Sequence, residues 1–344
     1  MNDRLLARGS IAFILVLATA LLLRELASLL VPLLFGGFLA LAAWPLVPAL
    51  ERRNVPHGLA LALAIIAIFV VVLASAAIIA LSVGELIALL PRYETRLTAT
   101  IDGLRAALAQ FGISTDEEAS FSVLAPEQIA TLVRSVVSGV SSAGLSILVV
   151  TLTTAYGLVG AHSFRSQFER ALGRDHIFIG SIRRFSDDLR RYLLVRAALG
   201  LFAAILVFAL LLVLGVPLPA LWAFLVFAAS FVPNLGVILA LVPPTLLALL
   251  DGGMAAAAVV VAGYTVVNLI QDNVLQPIVL GVEFNLSPLV VFVCVVVWAW
   301  IFGAAGAFLA VPLTLALIAI LETSQAAHGL TALARNREAH DRSS

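Results

Sequence analysis

The sequence predicts an all-α, polytopic membrane protein, and three observations carry that prediction. Of 344 residues, 62 % are AVILMFWYC and only 12 % are charged, against about 45–50 % apolar and about 25 % charged in soluble domains. The apolar residues fall in runs of the roughly 20 residues that cross a bilayer. Two of the longest runs carry Pro and Gly near their middles. A soluble fold of this size leaves too much surface facing water to hide such a content. That excludes an ordinary cytosolic enzyme, a disordered chain and a nucleic-acid binder, and makes the lipid bilayer the first partner. Net charge is zero, so no polyanionic partner is implied. Cys294 is the single cysteine, which removes disulfide frameworks and cysteine metal clusters.

The elements follow in chain order. Leu5–Leu23, interrupted by Arg8, is a first span; Leu26–Leu50 follows directly, so the pair reads as a hairpin. A cleavable signal peptide is the rival reading of the first run, but no clear small-residue cleavage site follows it. His57–Leu81 is the third span. Residues 82–135 hold four arginines against seven acids, net −3. Within them Leu86, Leu89, Leu90, Tyr93, Leu97, Ile101, Leu104 and Leu108 recur at three- and four-residue steps, the spacing of an amphipathic helix. Phe111–Pro126 reads as a polar loop.

Val136–Ala161, rich in Ser, Gly and Thr, is the fourth span, and its small residues permit close helix packing. His162–Arg196 carries eight arginines against four acids, net +4. The positive-inside rule puts this segment in the cytoplasm, with Arg4, Arg8, Arg52 and Arg53 on the same side. The acidic insert then falls outside, and both termini inside. Ala197–Gly215 is the fifth span.

Ala220–Leu250 and Ser287–Leu321 are too long for one crossing: 31 and 35 residues make helices of about 46 and 52 Å against a hydrocarbon core of about 30 Å. The first contains Pro233, Asn234, Leu235 and Gly236, then Pro243-Pro244. The second contains Gly303 to Gly306, then Pro312. Each reads as two half-helices, either a tight hairpin or a broken span. Met254–Ile270 lies between, followed by the polar stretch Gln271–Asn285. Seven or eight spans result. The chain thus divides into residues 1–81, 82–135, 136–161, 162–196, a C-terminal core 197–321 and a polar tail 322–344.

Lipid offers no partner for free backbone groups, so broken helices persist only against protein or a water-filled cavity. Paired broken helices commonly mark a transporter's substrate site. The polar residues near these breaks are Asn234, Asn268, Gln271, Asp272, Asn273 and Gln276, with Glu283 and Asn285 beyond. Amides supply both donors and acceptors, which suits a polyhydroxylated or ionic solute; Asp272 or Glu283 suits a proton or monovalent cation. The bland reading is a headgroup-level loop where polarity is cheap. Asp251-Gly252-Gly253 reads as a turn. The five histidines have no metal-ligand spacing, and neither GxSxG nor GxxxxGK[ST] occurs, so no cofactor, hydrolase chemistry or ATP-driven pump is indicated. Energy would come from an ion gradient or from the solute's own.

Several short motifs occur in order: Arg191-Tyr192 opening a span, Leu214-Gly215-Val216-Pro217, Phe231-Val232-Pro233-Asn234-Leu235-Gly236, Asp272-Asn273 before Pro277 and Gly281, Leu286-Ser287-Pro288-Leu289, Gly303-Ala304-Ala305-Gly306 and Ala310-Val311-Pro312-Leu313. With the N-terminal layout, this ordered set resembles the autoinducer-2 exporter family of permeases over nearly the whole chain. The resemblance implies a multi-spanning bacterial inner-membrane transporter. Some members are associated with autoinducer-2 export and some with sodium/proton antiport. Two positions depart from the family pattern: Ser230 stands where many members have Asn, and Gln271, with Asp272 beside it, stands where many have an acid. The expectation is a secondary transporter or exporter of a small polar solute, with Asn234, Asn268, Asp272, Asn273 and Gln276 contacting it. A cation/proton antiporter and a membrane scaffold are the alternatives. The fourth span and the amphipathic helix both offer surfaces for a homo-oligomer.

Overall fold

The computed structural model describes residues 2–110, 144–160, 177–232, 236–276 and 288–322, and among them every regular element is helical. The chain is an all-α polytopic membrane protein. The helices are α1 Asn2–Glu25, α2 Ala27–Ala43, α3 Leu46–Glu51, α4 His57–Gln110, α5 Gly144–Gly160, α6 Ile177–Val213, α7 Pro219–Ala229 and α8 Gly236–Ile270. A π-helical turn, Gln271–Leu275, follows; then come α9 Pro288–Phe302, α10 Ala304–Phe308 and α11 Ala310–Glu322. Four stretches are long and apolar enough to cross a membrane: Ala27–Glu51, His57–Leu89, Arg183–Val213 and Ala240–Leu275. Shorter apolar helices include α5, α7 and most of α9 and α11. Large apolar side chains point outward, as at Leu81 and Val213, the arrangement lipid rather than water accommodates.

Two helices run further than their apolar cores. The third apolar run and the amphipathic stretch after it form one unbroken helix, α4, of 54 residues. Nothing between Leu81 and Leu86 stops it: no Pro or β-branched run intervenes, and Gly84 alone is a weak breaker. Likewise α6 begins at Ile177, well inside the Arg-rich segment, so its charged first turns and apolar later turns are continuous.

The two overlong runs fold back on themselves. The turn between α6 and α7 packs at Val216 and Leu218 in the same apolar cluster as Leu86, Leu89 and Tyr93 of α4. Leu250 returns to that same end, where its carbonyl accepts from Arg96 Nη1 at 3.2 Å. The chain therefore leaves and regains one end of the bundle. With 11 residues, α7 reaches about 17 Å, short of a crossing. Leu218, at φ 61°, is held left-handed ahead of Pro219, and Trp222 Nε1 donates to Pro217 O at 2.9 Å to fix the turn.

Some sequence-expected breaks are not breaks. Pro243 and Pro244 sit within α8, which passes through them and kinks only at Gly253, φ 72°. Packing against neighbours lets membrane helices keep interior prolines, and Pro244 is among the fully buried side chains. Pro312 occupies the first turn of α11, where a missing N–H removes no helical bond. Gly306 lies within the short α10. The second break falls at Gly303, φ 64°, and again at Leu309. Pro233 and Asn234 lie outside the described residues, as do Glu283 and Asn285.

Candidate functional site

A narrow cleft lies between α6, the tip of α7 and both halves of α8. Ala203 and Val207 of α6 face Ala229 and Ser230, while Ala240, Tyr264, Asn268 and Gln271 close the other sides. Alanines at 203, 229 and 240 leave the space that larger side chains would fill. Its cavity volume is about 30 Å³, room for one or two waters. The described conformation is thus closed around any solute larger than that.

Four polar side chains meet there. Ser230 Oγ donates to Phe227 O at 2.7 Å, and Gly200 makes room for it: a Cβ at 200 would stand 2.3 Å from that oxygen. Asn268 Nδ2 donates to Tyr264 O at 2.8 Å. Gln271 is buried, the first residue of the π-helical turn. Tyr264 is 2 % exposed, and its hydroxyl has no hydrogen-bond partner among the described residues. A buried hydroxyl without a partner costs about 1–3 kcal/mol, so such groups are rare and call for an explanation. π-Helical turns, which insert one residue into the ladder, recur at functional sites for the same reason: they misalign backbone and side chains locally.

The expected site residues separate. Asn268 lines the cleft, and so does Gln271. Asp272 and Asn273 are exposed on the outer side of the π turn. Asn273 Nδ2 donates to Leu269 O at 3.1 Å, and Asp272 lies within electrostatic reach of Arg196. Gln276 is half-buried at the end of the turn and off the cleft wall. Asn268 and Asn273 therefore do not share a cavity. Ser230 and Tyr264 are the cleft residues that motif reading did not select. The signal for Tyr264 was its spacing: 264, 268 and 271 fall on one helical face.

A second polar cluster sits at the kink midway along α8. Asp251 accepts from Tyr93 Oη, from Arg96 Nη1 and, at 3.2 Å, from Arg92 Nη2. Burial, then the bond to Asp251, pushes the Tyr93 hydroxyl above the ordinary tyrosine value. What the sequence offers as a turn is the point where the amphipathic end of α4 grips the kink of α8.

Long apolar helices, a hairpin that stops short of crossing and an internal polar cleft define a membrane transporter class. The sequence pattern of the family described as "AI-2E family transporter" matches residues 11–326, and the chain belongs to that family. It is 29 % identical over 311 residues, 90 % of both chains, to "AI-2 transport protein TqsA" of Escherichia coli K12. It is 28 % identical over 307 residues to "Putative transport protein YhhT" of the same organism, covering 89 % of this chain and 88 % of that one. A third relative, a transport protein of Haemophilus influenzae named only as putative, is 29 % identical over 322 residues, 92 % of each chain.

Proposed function

We propose that the protein is a secondary transporter, not an enzyme, that moves a small polar solute through the cleft at Ser230, Tyr264, Asn268 and Gln271. The observation that carries this is the buried Tyr264 hydroxyl, without a partner among the described residues, in a cleft that also holds Ser230, Asn268 and Gln271 between alanine and valine walls. A solute hydroxyl or carbonyl would complete its hydrogen bonding. None of the cleft residues is charged, which favours a neutral, hydroxyl-rich solute, and the relative named for autoinducer-2 transport is in keeping with that class. Asp272, Asn273 and Gln276 lie off the cleft wall, next along the chain from Gln271, and we assign them to the solute's way in or out. We place the protein in the bacterial inner membrane with the Arg-rich segment and both termini in the cytoplasm.

One observation favours a second reading. A cleft of about 30 Å³ that holds the hydroxyls of Ser230 and Tyr264 and the side-chain amides of Asn268 and Gln271 also fits a monovalent cation stripped of most of its water. Under that reading Asp272, next along the chain from Gln271, exchanges a proton for the cation. Proteoliposomes separate the two. Neutral polyhydroxylated solutes and sodium are offered to wild type, Tyr264→Phe and Asp272→Asn, with an internal pH dye. Solute flux that falls about tenfold in Tyr264→Phe, roughly 1.4 kcal/mol of lost contact, supports the first reading. Cation-for-proton exchange abolished in Asp272→Asn and retained in Tyr264→Phe replaces it with the second. Solute flux unchanged in Tyr264→Phe removes the cleft from the pathway.

A further inference from the structure

A single positive charge lies beside the cleft. Arg196 falls within the apolar stretch Arg183–Val213 of α6, and no charged residue follows it from Ala197 to Val213. A guanidinium placed there is costly, and such groups face protein or a polar route rather than lipid. Val195 and Leu199, which flank it, are buried and pack with Leu275 of the π turn. The Arg196 carbonyl lies 3.4 Å from Ser230 Oγ, so its backbone borders the cleft directly.

The side chain runs back along the helix, the direction that long helical side chains take. Its Cζ stands 5.8 Å from the ring centroid of Tyr192, one turn nearer the N-terminus. Tyr192 Oη in turn donates to Phe231 O at 3.2 Å, next in the chain to Ser230. The ring therefore holds the guanidinium beside the residues that close the cleft. Asp272, next along the chain from Gln271, is within electrostatic reach, yet the two charges form no ion pair among the described residues. Arg196 Nε is buried and has no hydrogen-bond partner among the described residues. An arginine that only snorkels to a headgroup puts its polar atoms in water; here one N–H of the fork is dry and open.

We propose that Arg196 is the specificity-determining residue of the cleft: its guanidinium fork binds two adjacent oxygens of a neutral solute, a diol or a hydroxy-carbonyl pair, and its fixed charge turns cations away. The inference rests on the solute reading above and deepens it. Guanidinium N–H groups project in a rigid planar fork, which matches two oxygens held side by side. Tyr264, Asn268 and Gln271 offer neutral partners to the rest of such a molecule. A cation in the same space meets a positive charge across a partly dry site, where repulsion is much stronger than in water. An arginine beside a polar route bars cations in this way. Asp272 by itself would draw cations, and Arg196 offsets it.

The test compares wild type, Arg196→Gln and Arg196→Lys. The probes are erythritol, whose hydroxyls are all on neighbouring carbons, a pentanetriol with hydroxyls on alternate carbons, and sodium. Tracer entry into proteoliposomes is corrected for empty vesicles, and polyol binding to the purified proteins is read by saturation-transfer NMR. Wild type is expected to prefer erythritol and exclude sodium. Arg196→Gln should take up erythritol about tenfold more slowly, equivalent to about 1.4 kcal/mol, lose the preference, and admit sodium about tenfold faster. Arg196→Lys keeps the charge without the fork, so it should exclude sodium yet lose the preference; it also covers the case in which the glutamine variant does not fold. A monodisperse Arg196→Gln that keeps both the preference and the exclusion overturns the role of Arg196 and leaves the transport reading standing. A wild type with no preference in flux or binding overturns the proposal. Preference in binding, lost in Arg196→Gln, beside a wild type that moves neither polyol, supports Arg196 and counts against the transport reading. Sodium-for-proton exchange in a wild type that binds no polyol overturns both.

Discussion

The two ends of the second half of α8, the kink and the π turn, carry polar clusters of opposite character. At the kink, Asp251 has three donors on α4, and Leu250 O has a fourth bond. At the π turn, Tyr264 keeps a buried hydroxyl with no partner among the described residues, and Gln271 is buried beside it. The first cluster is complete within the chain and contributes by holding two segments about 155 residues apart. The second is incomplete among the described residues, which is what the proposed solute site requires. A satisfied network reports on stability, whereas an unsatisfied one reports on a ligand.

The sharpest way to break that comparison is at Asp251. Asp251→Ala leaves the buried Tyr93 hydroxyl without its acceptor and removes the carboxylate that Arg96 meets. A loss of about 2 kcal/mol is expected, because Arg92 and Arg96 are partly exposed and their ion pairs count for little beside the tyrosine bond. In detergent the unfolding midpoint should fall by about 3 °C. An unchanged midpoint would show that the kink is not held by this cluster. Tyr264→Phe is the converse. It removes an unpaired hydroxyl, so stability should hold or rise by up to about 1 kcal/mol while solute flux drops. A destabilised Tyr264→Phe would mean that the hydroxyl is already satisfied, and the contrast between the two ends would disappear.

The same contrast explains what could be read from the sequence. The membrane class, the broken runs and the polar motif around Asp272 were legible, because composition, length and Pro/Gly punctuation are local properties. That Gln271 and Asn268 face inward while Asp272 and Asn273 face outward was not. A π turn shifts the register by one residue, and a 3.6-residue reading cannot locate it. Tyr264 is hidden for a different reason: one tyrosine in an apolar run looks like packing even at helical spacing from Asn268 and Gln271, until its hydroxyl is seen to have no partner among the described residues. Asp251 looked like a turn because its partners lie far away in the chain. Pro243-Pro244 and Pro312 looked like breaks because proline reads as punctuation until packing and helix position are known.

Smaller effects separate the two arginines of the kink. Arg96 reaches both Asp251 and Leu250 O and is 39 % exposed at its side chain, while Arg92 reaches Asp251 and is 56 % exposed. Arg96→Gln should therefore cost about 1 kcal/mol and Arg92→Gln under about 0.5 kcal/mol. Raising the salt concentration should shrink the Arg92 effect first. Equal losses would mean that the carbonyl contact of Arg96 contributes nothing.

The smallest expected effect is a dependence on pH. Folding raises the affinity of the Tyr93 hydroxyl for its proton, first by burial and then through the bond to Asp251. The unfolded chain gives up that proton near pH 10, the ordinary tyrosine value. Above that pH the unfolded state binds fewer protons than the folded one, so stability from this group is full at neutral pH and declines as pH rises. In Tyr93→Phe both the bond and the titration are gone. The stability difference between wild type and this variant should be constant from pH 7 to 9 and narrow above about pH 10. A difference that stays constant through pH 11 would mean that Tyr93 does not hold its proton more tightly when folded, and Asp251 would then be anchored by the arginines alone.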